Sequence, residues 1–238
     1  MVSTSFPQVI QAILQDLPKN DYPALSTFSF VSCWLEFVMD KSVVSMRDLC
    51  ARLNYQGIDL KISTFSKASK TRETQVFQKI IKKLNKKLRQ LKGQEEATAL
   101  FPIDSTIVTL TSKLLWKQGY HQFKLFCGLD SWTSEVSGIV VHFGQGHDHK
   151  YGAETVKATP GNRVSIMDRG FASSKRIREL ESQKNTYYVL RIKNNVTLEM
   201  LENGKCKVGK DEREVEVRVV AFSDLESRSE FRLATNLP

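Results

Sequence analysis

The 238 residues are 41% hydrophobic and carry a formal net charge of +9, which suits one large or two smaller globular domains with a sizeable core. No run of about 18 apolar residues is present, and the N-terminus lacks the basic, apolar and small-residue segments of an export signal, so neither a membrane span nor secretion is expected. Cys33, Cys50, Cys127 and Cys206 are far apart and form no Cys-x-x-Cys pair, which argues against a zinc site or disulfide framework and for a reducing cytoplasm.

The first ninety or so residues have helical periodicity. Val9, Ile10, Ile13, Leu14 and Leu17 recur at threes and fours over residues 7–17. Pro18 and Pro23 bracket a break, and residues 24–39 follow as a more apolar, buried helix. Ser45 is a credible N-cap for a helix over 46–53, and Asn54-Tyr55-Gln56-Gly57 is a turn. One further helix is expected from Ser63 or Thr64 to Leu91, with Phe77, Ile80, Ile81, Leu84, Leu88 and Leu91 on an apolar stripe and Lys82, Lys83, Lys86 and Lys87 largely off it.

Helix, glycine-containing turn and polar helix over 46–72 fit a helix-turn-helix as well as they fit a plain helical bundle. In the first case Ser63, Thr64, Ser66, Lys67, Lys70 and Arg72 would face DNA. Residues 61–92 hold eleven Lys/Arg against one acid, Glu73, a local charge of +10 that leaves −1 for the rest of the chain. Clustered cations of this kind favour a polyanion, because each neutralised phosphate releases condensed counterions. The alternative is a solvated helix face.

Residues 93–97 are polar and short, as a linker is. Beyond them the pattern changes to α/β. Strands are expected over 100–103, 120–129, 136–143, 163–167 and 186–192, with a loop at 144–150, a short helix at 153–158 and a Ser-capped helix at 173–183. The remainder is β-rich, at 205–208, 214–222 and 231–235. Residues 214–219 alternate strictly, as a half-exposed strand should.

Two aspartates end apolar strands: Asp104 in Leu100-Phe101-Pro102-Ile103-Asp104-Ser105-Thr106, and Asp168 in Val164-Ser165-Ile166-Met167-Asp168-Arg169-Gly170-Phe171. Singly, each fits a cap or turn residue, and Asp168 fits a loop-holding pair with Arg169. Together they suit phosphoryl transfer. An in-line attack on a phosphodiester builds charge on the attacking and leaving oxygens, and two Mg²⁺ ions roughly 3.5–4 Å apart stabilise both. Mg²⁺ takes carboxylate oxygens and keeps several waters. His147-Asp148-His149 reads either as a metal-ligating segment or as a polar loop in which His147 and Asp148 support the site.

Residues 100–106, the 144–150 loop with His147-Asp148, and residues 166–171 resemble DDE transposases of bacterial insertion sequences, in the insertion-sequence-four type. The resemblance covers residues 100–238 well and 1–92 more loosely. It implies a ribonuclease-H-like mixed sheet with a β-rich insertion, preceded by an all-α DNA-binding region: residues 1–92 helical, 93–99 linker, 100–192 the first part of the catalytic core, 193–238 the insertion. It further implies that Asp104 and Asp168 are the first two members of an Asp-Asp-Glu triad holding Mg²⁺, or Mn²⁺. Lys67, Lys70, Arg72, Lys82, Lys83, Lys86 and Lys87 would meet DNA, and His147, Asp148 and Arg169 would surround the acids. The Tyr…Arg…Glu…Lys helix that supplies the family's glutamate is not found in this sequence. The expectation is therefore a C-terminally shortened, cytoplasmic, nucleoid-associated transposase chain. It would act as a homodimer on transposon ends and target DNA, or as an inactive DNA-binding fragment competing with the intact enzyme. A different ribonuclease-H-like nuclease that completes its site with other acids is the third reading.

Overall fold

The computed structural model describes residues 8–92, 99–109, 119–144, 146–183, 185–209, 214–224, 226 and 229–237. They form two compact units, Met1–Leu91 and Lys92–Pro238. The expected linker at 93–97 lies outside the described residues. No described helix is long and apolar enough to cross a membrane, and all four cysteines are free.

The first unit contains helices α1 (Gln8–Gln15), α2 (Thr27–Met39), α3 (Met46–Tyr55), α4 (Ile62–Thr71) and α5 (Gln75–Lys92). Ser26 starts α2, its hydroxyl accepting the Ser29 N–H at 3.1 Å. Ser45 does the same for α3 through the Asp48 N–H at 3.1 Å. Each cap satisfies a donor that a helix start otherwise leaves without a partner. Phe30 packs against Phe65 and Phe77 with ring centroids 5.8 and 6.1 Å apart, and Trp34 against Phe65 at 5.4 Å. Phe65, Leu49, Leu53 and Val31 are fully buried in this core.

One expectation is corrected here. The single helix from 63 to 91 is two helices, broken at Arg72-Glu73-Thr74. Arg72 is extended, with φ −84° and ψ 142°, because its guanidinium is drawn back to the start of α2, donating to the carbonyls of Leu25 and Ser26. The stripe on α5 is only partly covered: Ile80 is buried, while Ile81 and Leu91 are 43% and 77% exposed.

The second unit is a mixed α/β layer structure with one nine-stranded sheet, ordered β3-β2-β1-β4-β5-β9-β8-β7-β6. The strands are β1 (Ala99–Thr109), β2 (Gln122–Leu129), β3 (Val136–Phe143), β4 (Arg163–Met167), β5 (Tyr187–Ile192), β6 (Leu198–Met200), β7 (Cys206–Val208), β8 (Val215–Ser223) and β9 (Glu230–Thr235). Among the described residues, only the β1–β4 and β4–β5 pairs are parallel. The short helices α6 (Asp148–Tyr151), α7 (Ala153–Lys157) and α8 (Ser174–Glu181) complete the unit. Val156 of α7, Phe171, and Ile177 and Leu180 of α8 form a core with Phe101, Ile103, Met167, Leu190 and Ile192. One sheet face is thus sealed by helices.

Strands β2, β1 and β4 are locked at the end where β1 and β4 begin. Asp130, just after β2, pairs with Arg163 at 2.8 Å, with side chains 7% and 2% exposed. Ser131 N–H donates to the Leu100 carbonyl at 2.9 Å, and the Ser131 hydroxyl accepts the Leu100 N–H at 3.0 Å. Gly128 lies at a register shift in the β2–β3 ladder. A β-carbon there would sit 2.2 Å from the Phe101 ring, so this position must be glycine for that ring to stay buried.

Candidate functional site

β1 runs through Asp104 to Thr109, which corrects the expectation that Asp104 ends a strand. Residues 104–109 pair antiparallel with β2, from Asp104 opposite Cys127 to Thr109 opposite Gln122. The β-branched Thr106, Ile107, Val108 and Thr109 suit that extension. The parallel ladder with β4 does end at Ile103 opposite Met167. Asp104, still within β1, and Asp168, just past the end of β4, each follow that last rung by one residue, and both are exposed. Strand alternation turns Asp104 away from the side on which Ile103 is buried.

Each carboxylate is held through one oxygen by a local N–H. Asp104 Oδ1 accepts from Ser105 N at 2.7 Å, and Asp168 Oδ1 from Gly170 N at 2.9 Å. No described cation pairs with either. Arg169 is exposed and makes no ion pair with Asp168 among the described residues. The donor set, two oxygen-rich groups without a counter-ion, fits a hard divalent cation. No group of three or more His, Cys, Asp or Glu able to hold a metal occurs among the described residues.

The 144–150 segment is not wholly a loop, since α6 begins at Asp148. Asp148 Oδ1 accepts from the Ser105 hydroxyl at 2.8 Å and pairs with Lys124 Nζ at 2.5 Å. Lys124 was not legible as part of this cluster. The available signal was its place two residues from Phe126 on β2, an inward position for a charged residue. The His147 and His149 rings stack with centroids 5.6 Å apart. Burial, then the neighbouring His147, Lys150, Lys193 and Arg176, hold the His149 pKa below its ordinary value. An open pocket of about 420 Å³ beside them is lined by Ile107, Gln122, Gly146, His147, Lys150 and Tyr151.

In the helical unit, Phe65 and Ala68 of α4 face the core, leaving Ser63, Ser66, Lys67 and Lys70 exposed. Residues 56–61, with Gly57 at φ +85°, connect α3 to α4. That span exceeds the three or four residues of a helix-turn-helix turn. Lys82, Lys83, Lys86 and Lys87 are exposed on α5, and Lys83 meets Asp16 at 2.7 Å. Arg72 is the exception among the basic candidates. Besides its two carbonyl partners, its guanidinium lies 4.0 Å from the Tyr22 ring centroid and 4.8 Å from that of Phe30. It therefore serves the fold, not an open basic surface.

Comparison with known proteins defines the class. Residues 96–235, more than half of the chain, match the family described as "Transposase DDE domain". The chain belongs to the DDE transposase family. It is also 50% identical over 236 residues to a Synechocystis protein (strain PCC 6803) named "Putative transposase for insertion sequence element IS4SA". That alignment covers 99% of this chain and 69% of the Synechocystis protein, in keeping with the resemblance to the insertion-sequence-four type.

Proposed function

We propose that this chain acts in DNA transposition, with the helical unit gripping transposon ends and Asp104 and Asp168 holding divalent metal against a DNA phosphate. The single observation carrying the metal assignment is the β1–β4 register, in which Asp104 and Asp168 follow the last rung, Ile103 opposite Met167. The arrangement β3-β2-β1-β4-β5, with β1, β4 and β5 parallel, supports a ribonuclease-H-like core over 100–192, with 193–238 as its β-rich insertion. Family membership and the exposed lysines of α4 and α5 support DNA as the partner, engaged by a homodimer on paired ends. Mg²⁺ or Mn²⁺, when bound, would polarise the scissile phosphate and lower the pKa of the attacking water or 3′-hydroxyl. This chain's own contribution is to hold the ion and to align the phosphate at the sheet edge.

Asp104 and Asp168 offer two carboxylates to the metal, and strand cleavage at transposon ends is the activity expected of such a site. An end-nicking assay with Mg²⁺ or Mn²⁺, on DNA carrying the element's terminal repeats, is the test. The expected result is metal-dependent nicking at those ends that is lost in Asp104→Asn and Asp168→Asn. Nicking indifferent to both substitutions refutes the assignment, and cleavage of generic structured DNA without end preference favours a different nuclease.

A further inference from the structure

We propose that Asp148 is a positioning residue that sets the separation of the Asp104 and Asp168 carboxylates; this rests on the reading of those two aspartates as metal ligands. Asp148 opens α6 and meets three separate segments. Its Oδ1 accepts the Ser105 hydroxyl at 2.8 Å and pairs with Lys124 Nζ at 2.5 Å. Its Oδ2 lies beside Gly170, so close that a β-carbon there would stand 2.6 Å from it and 3.1 Å from Asp168 Oδ1. The helix it begins also donates the His149 N–H to the Gly170 carbonyl at 3.1 Å.

Ser105 and Gly170 are the residues whose N–H groups hold Asp104 and Asp168. Asp148 thus touches the holder of each carboxylate without bonding to either carboxylate itself. Its charge is matched by Lys124, and the two side chains are 15% and 12% exposed. The ion pair keeps a third acid near the site from adding net repulsion, and it engages Oδ1. Outer groups that orient metal-binding side chains commonly change affinity by about 10–100-fold when removed.

The test measures Mn²⁺ binding to the full chain by electron paramagnetic resonance of free Mn²⁺, beside thermal unfolding. Asp148→Ala is expected to weaken Mn²⁺ about 10–100-fold at unchanged stoichiometry. Ser105→Ala is expected to weaken it about tenfold, and the double variant no further than Asp148→Ala alone, because both changes break one linkage. Unchanged affinity in Asp148→Ala overturns the proposal, as does a lost binding site, which would make Asp148 a ligand, or simple additivity with Ser105→Ala. Should Asp148→Ala fail to fold, Ser105→Ala decides: unchanged affinity overturns the proposal. Mn²⁺ binding that is absent from the parent chain, or that survives both Asp104→Asn and Asp168→Asn, refutes the metal assignment itself and this proposal with it. Loss in those variants with no effect of Asp148→Ala refutes the positioning role alone.

Discussion

Asp130→Ala is expected to destabilise the sheet unit by about 3–5 kcal/mol, the usual cost of removing one partner of a buried ion pair. Arg163, 2% exposed in its side chain, would lose the carboxylate it meets at 2.8 Å. Asp130 Oδ1 also accepts from the N–H groups of Trp132 and Thr133, both at 2.9 Å, so the turn between β2 and β3 loosens as well. The effect falls on the β1–β4 register that Asp104 and Asp168 follow, although Asp130 lies at the other end of those strands. Chemical denaturation followed by near-ultraviolet circular dichroism measures it. The pH dependence has a definite sign. Burial pushes the Asp130 pKa up, but the Thr133 N–H, the Arg163 guanidinium and the Trp132 N–H outweigh it and hold the pKa below its ordinary value of 3.8. A depressed carboxylate stabilises fully above the unfolded-state pKa, and its contribution is lost as the pH falls below 3.8 through the folded value. The stability difference between parent and variant should therefore shrink in acid.

Replacing Lys82, Lys86 and Lys87 together by Gln is expected to lower affinity for duplex DNA by about two to three orders of magnitude near 0.1 M salt. Each lysine that meets a phosphate contributes a slope of about 0.9 in log K against log salt, so the slope should fall by roughly 3. Lys83→Gln alone should change little, because Asp16 at 2.7 Å already meets that charge. All four side chains are exposed, so folding should be untouched. Fluorescence anisotropy between 50 and 200 mM salt is the measurement. An unaltered slope would make the basic face of α5 a solubility feature. The same affinity should survive Asp104→Ala and Asp168→Ala, which separates gripping DNA from holding metal.

Much of this was legible in the sequence because local chemistry decides it. Ser45 caps a helix wherever the chain goes next, and it does so here. The strand over Arg163–Met167 and the strict alternation at the start of β8 follow from side-chain patterning. What was not legible depends on partners distant in sequence. β1 continues past Asp104 because β2 pairs with residues 103–109, and no local signal announces that pairing. The break after α4 is fixed by Arg72 reaching back to carbonyls some 46 residues earlier, so a residue that reads as a DNA contact is a structural clamp. Lys124 looks like an ordinary strand lysine until α6 brings Asp148 to it. β6, three residues long, is too short to leave a periodicity.

The convergence of two carboxylates on one ion is tested most directly by iron-directed backbone cleavage. Fe²⁺ is loaded onto the full chain in place of Mg²⁺, and ascorbate with peroxide then generates radicals that cut only the backbone next to the bound ion. Paired cuts around residues 104 and 168 are expected, both suppressed by Mg²⁺ and both lost in Asp104→Asn and in Asp168→Asn. Cuts at only one of the two segments, or a pattern indifferent to either substitution, would contradict a shared metal site.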